Sequence, residues 1–288
     1  MQKRGIGKTL LVLLLFVVAL VLTMYPFVSN YLFEHKTDSY VNAVEQAAQE
    51  IDDSEKQAAL NAAREYNQVI ASGHVQLTDP FIEEEQDEGL NEYEELLCMT
   101  DDGVMGSVEI PVIDVSLPIY HGTSEEVLQK GVGHLQGSSL PVGGESTHTV
   151  LTGHTGLSKA KLFTDLTEVK EGDIFFLDIF GEKLAYEVDQ IKTVLPSELD
   201  DLRVEPGQDY CTLVTCTPYG VNSHRLLVRG VRTDYQEAVE NPDTFREKEV
   251  ESRWMEEYKK ALLISVICFT VCLIVIRIVR RVRENRSR

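Results

Sequence analysis

A cysteine, a histidine and an arginine stand in this chain where their chemistries can be combined. Cys216 closes the run Thr212-Leu213-Val214-Thr215-Cys216 and precedes Thr217-Pro218. Such a run predicts a strand whose end presents the thiol where loops build sites. His154 lies in Leu151-Thr152-Gly153-His154-Thr155-Gly156, with glycines placed to allow a tight turn and close approach of another segment. Arg225 opens the next apolar run, and the loop Pro218-Tyr219-Gly220-Val221-Asn222-Ser223 can return the chain so that Arg225 sits beside Cys216. A thiol at its ordinary pKa is only a few per cent thiolate near neutrality. An imidazole can take its proton or hand one to a leaving amine. A fixed guanidinium can stabilise the oxyanion of a tetrahedral intermediate, a contact often worth ~3 kcal/mol. Together they make a thiol acyl-transfer site.

Each residue also has a plainer reading. Composition alone favours a buried structural role for Cys216. Pairing with Cys211 is disfavoured because positions five apart on a strand face opposite ways, while Cys98 stays open as a partner. His154 is one of seven histidines, and Arg229 and Arg232 compete with Arg225. Neither an EF-hand loop nor Cys/His ligand spacing occurs, so no metal and no cofactor is expected.

The elements that must hold these residues are mainly β. Strands are predicted at 104–110, 115–120, 147–152, 174–180, 184–192, 210–216 and 225–232, with Gly181-Glu182-Lys183 as a hairpin turn. Many short strands with turn residues between them point to a closed barrel or sandwich. Short helices are expected at 125–132 and 158–168. Upstream, Val41, Val44, Ala48 and Ile51 follow helical spacing. Ser54 with Gln57 resembles a capping box opening a second helix, which Gly73 is placed to stop. An acidic run follows (Glu83, Glu84, Glu85, Asp87, Glu88, Glu92, Glu94, Glu95), of the kind that stays solvated. Just before it, Asp79-Pro80-Phe81 forms a stiff tripeptide.

The segment from Thr212 to Arg225 (Thr-Leu-Val-Thr-Cys-Thr-Pro-Tyr-Gly-Val-Asn-Ser-His-Arg) resembles the T-L-x-T-C…R signature of sortases, and Thr152-Gly153-His154 resembles their histidine motif. The resemblance runs from about Gly103 to Arg232. It implies an eight-stranded sortase β-barrel with Cys216 as nucleophile, His154 as acid/base and Arg225 steadying substrate and oxyanion. Asp79-Pro80-Phe81 and two apolar ends resemble the pilus-assembling class C sortases, which carry an N-terminal lid. That implies Asp79 paired with Arg225 and Phe81 over Cys216. The implied reaction cleaves an LPxTG-like sorting signal through a thioacyl-enzyme and joins the product to a lysine amine of another pilin subunit. The implied partners are therefore pilins or surface proteins with such signals. A housekeeping sortase acting on a peptidoglycan precursor is the alternative of the same chemistry. A thiol protease, or a membrane-tethered scaffold with an inert thiol, are alternatives of other classes.

Charge and hydropathy set the location. The net charge is −20, which argues against a nucleic-acid partner. The ends are basic: Lys3, Arg4 and Lys8 precede an uncharged stretch from Thr9 to Phe33, and Arg277, Arg280, Arg281, Arg283, Arg286 and Arg288 close the chain. About 20 apolar residues cross a bilayer core. The first run suffices, as anchor or as signal peptide. The second, from Ala261 to Ile276, is short unless Arg277 snorkels; its Cys268 and Cys272 are read as apolar fillers. Positive charge marks the cytoplasmic side. The expected order is a cytoplasmic N-terminus (1–8), a first span (9–28), extracellular helices and acidic lid (29–98), the barrel (99–235), a helical stalk (236–260), a second span (261–279) and a basic cytoplasmic tail (280–288).

Overall fold

The computed structural model describes residues 3–73, 77–81, 93–100, 103–156, 160–245 and 253–286. In chain order the elements are α1 (Lys3–Glu50), α2 (Asp53–Ser72), β1 (Val104–Ile110), β2 (Val115–His121), α3 (Glu125–Leu128), β3 (Val132–His134), β4 (Thr147–Thr152), β5 (Ile174–Ile179), β6 (Glu182–Val194), β7 (Asp209–Thr217), β8 (His224–Thr233), α4 (Tyr235–Glu240) and α5 (Arg253–Arg286). Turns of 3-10 helix stand at Tyr93–Glu95, Pro111–Ile113, Thr164–Glu168 and Asp200–Leu202. Two compact units result, Met1–Tyr25 with Glu251–Arg288, and Pro26–Val250.

The eight strands close into a barrel in the order β1-β2-β3-β4-β7-β8-β6-β5. Six pairings are antiparallel; β2 with β3 and β4 with β7 are parallel. Val108, Leu177, Tyr186, Cys211, Leu213 and Val228 meet inside. A second apolar cluster forms around Val150, Val214 and Leu227, joined by Leu77 and Phe81. Cys211 belongs to the first cluster and Val214 to the second. The strand period of two therefore puts Cys216 on the face of Val214, opposite Cys211. Cys98, Cys211 and Cys216 are thiols rather than cystines.

The seven expected strands are present, but β3 was not anticipated: three residues with Gly133 at the centre are too few to show alternation. The β5–β6 turn is also displaced from Gly181-Glu182-Lys183. Phe180 (φ 52°) and Gly181 (φ 76°) form it, both left-handed as a two-residue hairpin turn demands. Region 158–168 supplies a 3-10 turn rather than an α-helix, with 157–159 outside the described residues. Much of the acidic run, 82–92, is also outside them, as is 246–252 of the expected stalk. The stalk's first part is the short helix α4, capped by Asp234, whose Oδ1 accepts from Glu237 N at 2.9 Å.

The cap of helix α2 lies two residues before the expected one. Asp52, not Ser54, is the N-cap, its Oδ1 accepting from Ser54 N at 2.9 Å. One turn-repeating stripe of α2 (Leu60, Ala63, Asn67, Ile70) is buried. Asn67 fastens the helix to the barrel: its Nδ2 donates to Leu140 O at 3.0 Å and its Oδ1 accepts from Leu140 N at 2.7 Å. Val41, Val44 and Ala48 of α1 are buried as their spacing required.

Among the described residues one helix, α1, is long and apolar enough to cross a membrane, where two were expected. Leu14, Leu15, Val21 and Leu22 on it are exposed, which calls for an apolar surrounding. Residues 261–279 are helical within α5, but the uncharged run there is short and ends at Arg277.

Two fully buried histidines tie the barrel's connections. His134 Nδ1 lies 2.8 Å from Tyr93 Oη and its Nε2 2.9 Å from Ser139 O. His148 bridges Arg203 O and Thr212 Oγ1 at 2.8 and 2.7 Å. Burial holds both imidazoles down to about 4. An unfolded histidine binds its proton near pH 6.5. As pH falls from about 6.5 to 4 the unfolded chain therefore takes up protons that the folded one refuses. Stability is expected to fall across this window by about 1.4 kcal/mol per pH unit for each group. Melting temperatures measured between pH 7 and 4 should drop, and His148→Gln should show a shallower pH dependence than the parent.

Candidate active site

Strands β7 and β8 are antiparallel neighbours, and Cys216 and Arg225 are direct partners across the ladder. Strand β4 runs parallel to β7 with Thr152 opposite Val214. The chain beyond β4 keeps that course: Gly153 N donates to Val214 O at 3.0 Å, and Thr215 Oγ1 donates to Gly153 O at 2.7 Å. A Cβ at position 153 would stand 2.6 Å from the buried Phe163 ring, so only glycine fits. His154 follows directly, so the chain carries it toward the end of β7 that holds Cys216. Phe163 N then holds His154 O at 3.1 Å.

Over this edge lies the tripeptide Asp79-Pro80-Phe81. Asp79 meets Arg225 through two parallel bonds, Nε to Oδ1 at 2.9 Å and Nη2 to Oδ2 at 2.6 Å. Both side chains are nearly dry, 9% exposed for Arg225 and 4% for Asp79. Arg225 Nη1 also donates to Asn222 O and His224 O at 3.1 and 3.2 Å. The Phe81 ring lies between two of the site groups. Arg225 Cζ is 4.9 Å from its centroid and the His154 ring 5.8 Å. Cys216 is 8% exposed. The competing arginines are committed elsewhere: Arg229 to Asp189 at 3.0 and 2.7 Å, and Arg232 over the Tyr186 ring at 5.6 Å.

Comparison with known proteins decides the family. Residues 108–233 match the Sortase domain family. A solved structure of Streptococcus agalactiae sortase C1 is 50% identical, with a TM-score of 0.63 over 68% of this chain and 98% of that one. The chain belongs to the sortase family, class C. Streptococcus pneumoniae sortase C, described for its catalysis and pilin substrate specificity, is 44% identical with a TM-score of 0.62, over 68% of this sortase and 97% of that chain. This sortase also spans about half the length (47%) of a curated relative, sortase A of Streptococcus agalactiae serotype III (strain NEM316). That match is 30% identical over 118 residues, 40% of this sortase.

The electrostatics of this sortase's thiol follow from its cover. Burial pushes the Cys216 thiol above its ordinary value; the Arg225 guanidinium pulls it back and the Asp79 carboxylate pushes it up again. Asp79 thus spends the positive charge that would favour a thiolate. Sequence reading missed Glu125, whose Oε2 lies 3.0 Å from His154 Nε2. No spacing signal links positions 125 and 154; they meet only through the turn between β2 and β3.

Replacing both Asp79 and Phe81 with Ala removes the carboxylate and the ring together. Alkylation of Cys216 by iodoacetamide, followed by mass spectrometry, should then run several-fold faster than in the parent. Equal rates would mean that the tripeptide does not limit access to the thiol.

Proposed function

We propose that this sortase polymerises pilins. Cys216 Sγ attacks the backbone carbonyl of an LPxTG-like sorting signal and forms a thioacyl-enzyme. The peptide C–N bond breaks, and the leaving amine takes its proton from His154. A lysine side-chain amine of the next subunit then attacks the thioester and gives a proton to His154, the C–S bond breaks as the isopeptide bond forms, and the Cys216 sulfur takes the proton back from His154. Arg225 stabilises the oxyanion of both tetrahedral intermediates, a role that requires Asp79 to let it go.

One observation carries the reading: a bidentate carboxylate clamp on the guanidinium opposite the thiol, with an aromatic ring beside it. Such a clamp occupies the position a substrate's developing charge would need, as a lid would. It supports Asp79, Pro80 and Phe81 as the lid. Likeness to the sortase C1 described as belonging to a pilus island supports pilins as substrate. The basic ends support a second span over 261–279, both termini in the cytoplasm and the barrel on the outer side.

The test uses the full chain in detergent. With a sorting-signal peptide it should gain the mass of the acyl fragment on Cys216, and Cys216→Ala should gain none. With a pilin it should give ladders that resist boiling in detergent. Single anchored monomers in cells and no ladder would point to the housekeeping reaction. Free carboxyl products despite abundant amine would point to a protease, and absence of any adduct to a scaffold. Arg225→Lys should lower kcat/KM by about 10²-fold, because an ammonium lacks the planar fork. Near-parent turnover would remove Arg225 from the chemistry.

A further inference from the structure

Glu125 is fixed from several sides. It opens α3, whose N-cap is Ser124, with Val127 N donating to Ser124 Oγ at 3.4 Å. Its Oε1 accepts from Gln129 Nε2 at 2.7 Å, one turn along. That leaves Oε2 aimed at His154 Nε2, 3.0 Å away. His154 is fixed in turn by Phe163 N on its carbonyl and by the Phe81 ring against its own. The imidazole is 17% exposed and the carboxylate 56%.

A carboxylate only accepts hydrogen bonds. Its partner nitrogen must therefore carry the proton, which leaves Nδ1 as the ring nitrogen available for exchange with a thiol or an amine. We infer that Glu125 is a positioning residue for the acid/base. It holds the imidazole in the tautomer with hydrogen on Nε2 and stabilises the imidazolium formed when the thiol proton is taken up. The inference rests on the reading of Cys216 and His154 given above. Other charged groups close to this pair are Glu126, the next residue on α3, and the Asp79–Arg225 pair, whose guanidinium lies over the Phe81 ring that also meets the imidazole. Asp79 and Arg225 offset each other, and Glu126 is held by Lys130 at 2.6 Å. Among the described residues, Glu125 is the acid whose carboxylate lies within hydrogen-bonding distance of His154 Nε2.

The experiment measures kcat and KM from pH 5 to 9 for the full chain in detergent, with a sorting-signal peptide and an amine acceptor. Glu125→Gln keeps an acceptor for Nε2–H but removes the charge. An exposed pair is worth a few tenths to 1 kcal/mol, so kcat should fall about 2–5-fold with KM unchanged. The difference from parent should shrink in 1 M salt. Glu125→Asp should recover part of it, and Glu126→Gln should behave as parent. A kcat unmoved by Glu125→Gln overturns the inference. So does a rise in KM at constant kcat, which would make Glu125 a substrate contact. Turnover retained by Cys216→Ala would instead overturn the underlying reading, so the two failures are told apart.

Discussion

A carboxylate and a guanidinium meet edge to edge where water is nearly absent, and the rest of the site is arranged around that meeting. Removing both charges from water costs several kcal/mol per ion, and only good geometry with further hydrogen bonds repays it. The Asp79–Arg225 pair meets those terms: two parallel bonds, and the remaining Nη1 hydrogens given to two backbone carbonyls. An Arg225 left alone there would be a desolvated charge without a counterpart. Its position therefore demands a second negative group at all times, either the side chain of Asp79 or one supplied by a visiting molecule.

Strand chemistry explains why the pair forms at this spot. The β4–β7–β8 sheet is covered on both faces, which is why β7 reads as a nearly continuous run of Val, Leu, Thr and Cys. Alternation sends Cys211 to the interior and Cys216 to the outer face. The antiparallel register sets Arg225 beside the thiol, and the parallel register brings the chain of His154 alongside. The strand ladders thus bring the three positions toward one end of the barrel, with the Thr215 hydroxyl and the missing side chain of Gly153 fixing the approach of the His154 segment.

Much of this could be read before any coordinates. Long runs of β-branched and aromatic residues announce β7 and β8, and the spacing between them places a hairpin. Helix α2 shows its buried stripe. What could not be read had no local signature. Strand β3 is too short to alternate. Phe180 adopts a left-handed turn because its neighbours pair, against its own preference. Asp52 rather than Ser54 caps α2, two positions earlier than the capping-box pattern places it. The His154–Glu125 contact depends on a turn whose path sequence does not encode pairwise.

The chain on either side of Asp79-Pro80-Phe81 is pinned to the barrel. On one side Asn67 clasps both backbone groups of Leu140; on the other Tyr93 donates to the carbonyl of His134 and accepts from Gly122 N. Asp79 can therefore leave Arg225 without leaving its neighbourhood. In the lid role proposed above it is a tethered competitor whose effective concentration at the thiol is on the order of millimolar and does not dilute with volume. A peptide present at micromolar levels must offset that standing advantage through contacts the tether cannot imitate, so the threshold for entry is set by chain length and anchoring as much as by the pocket itself.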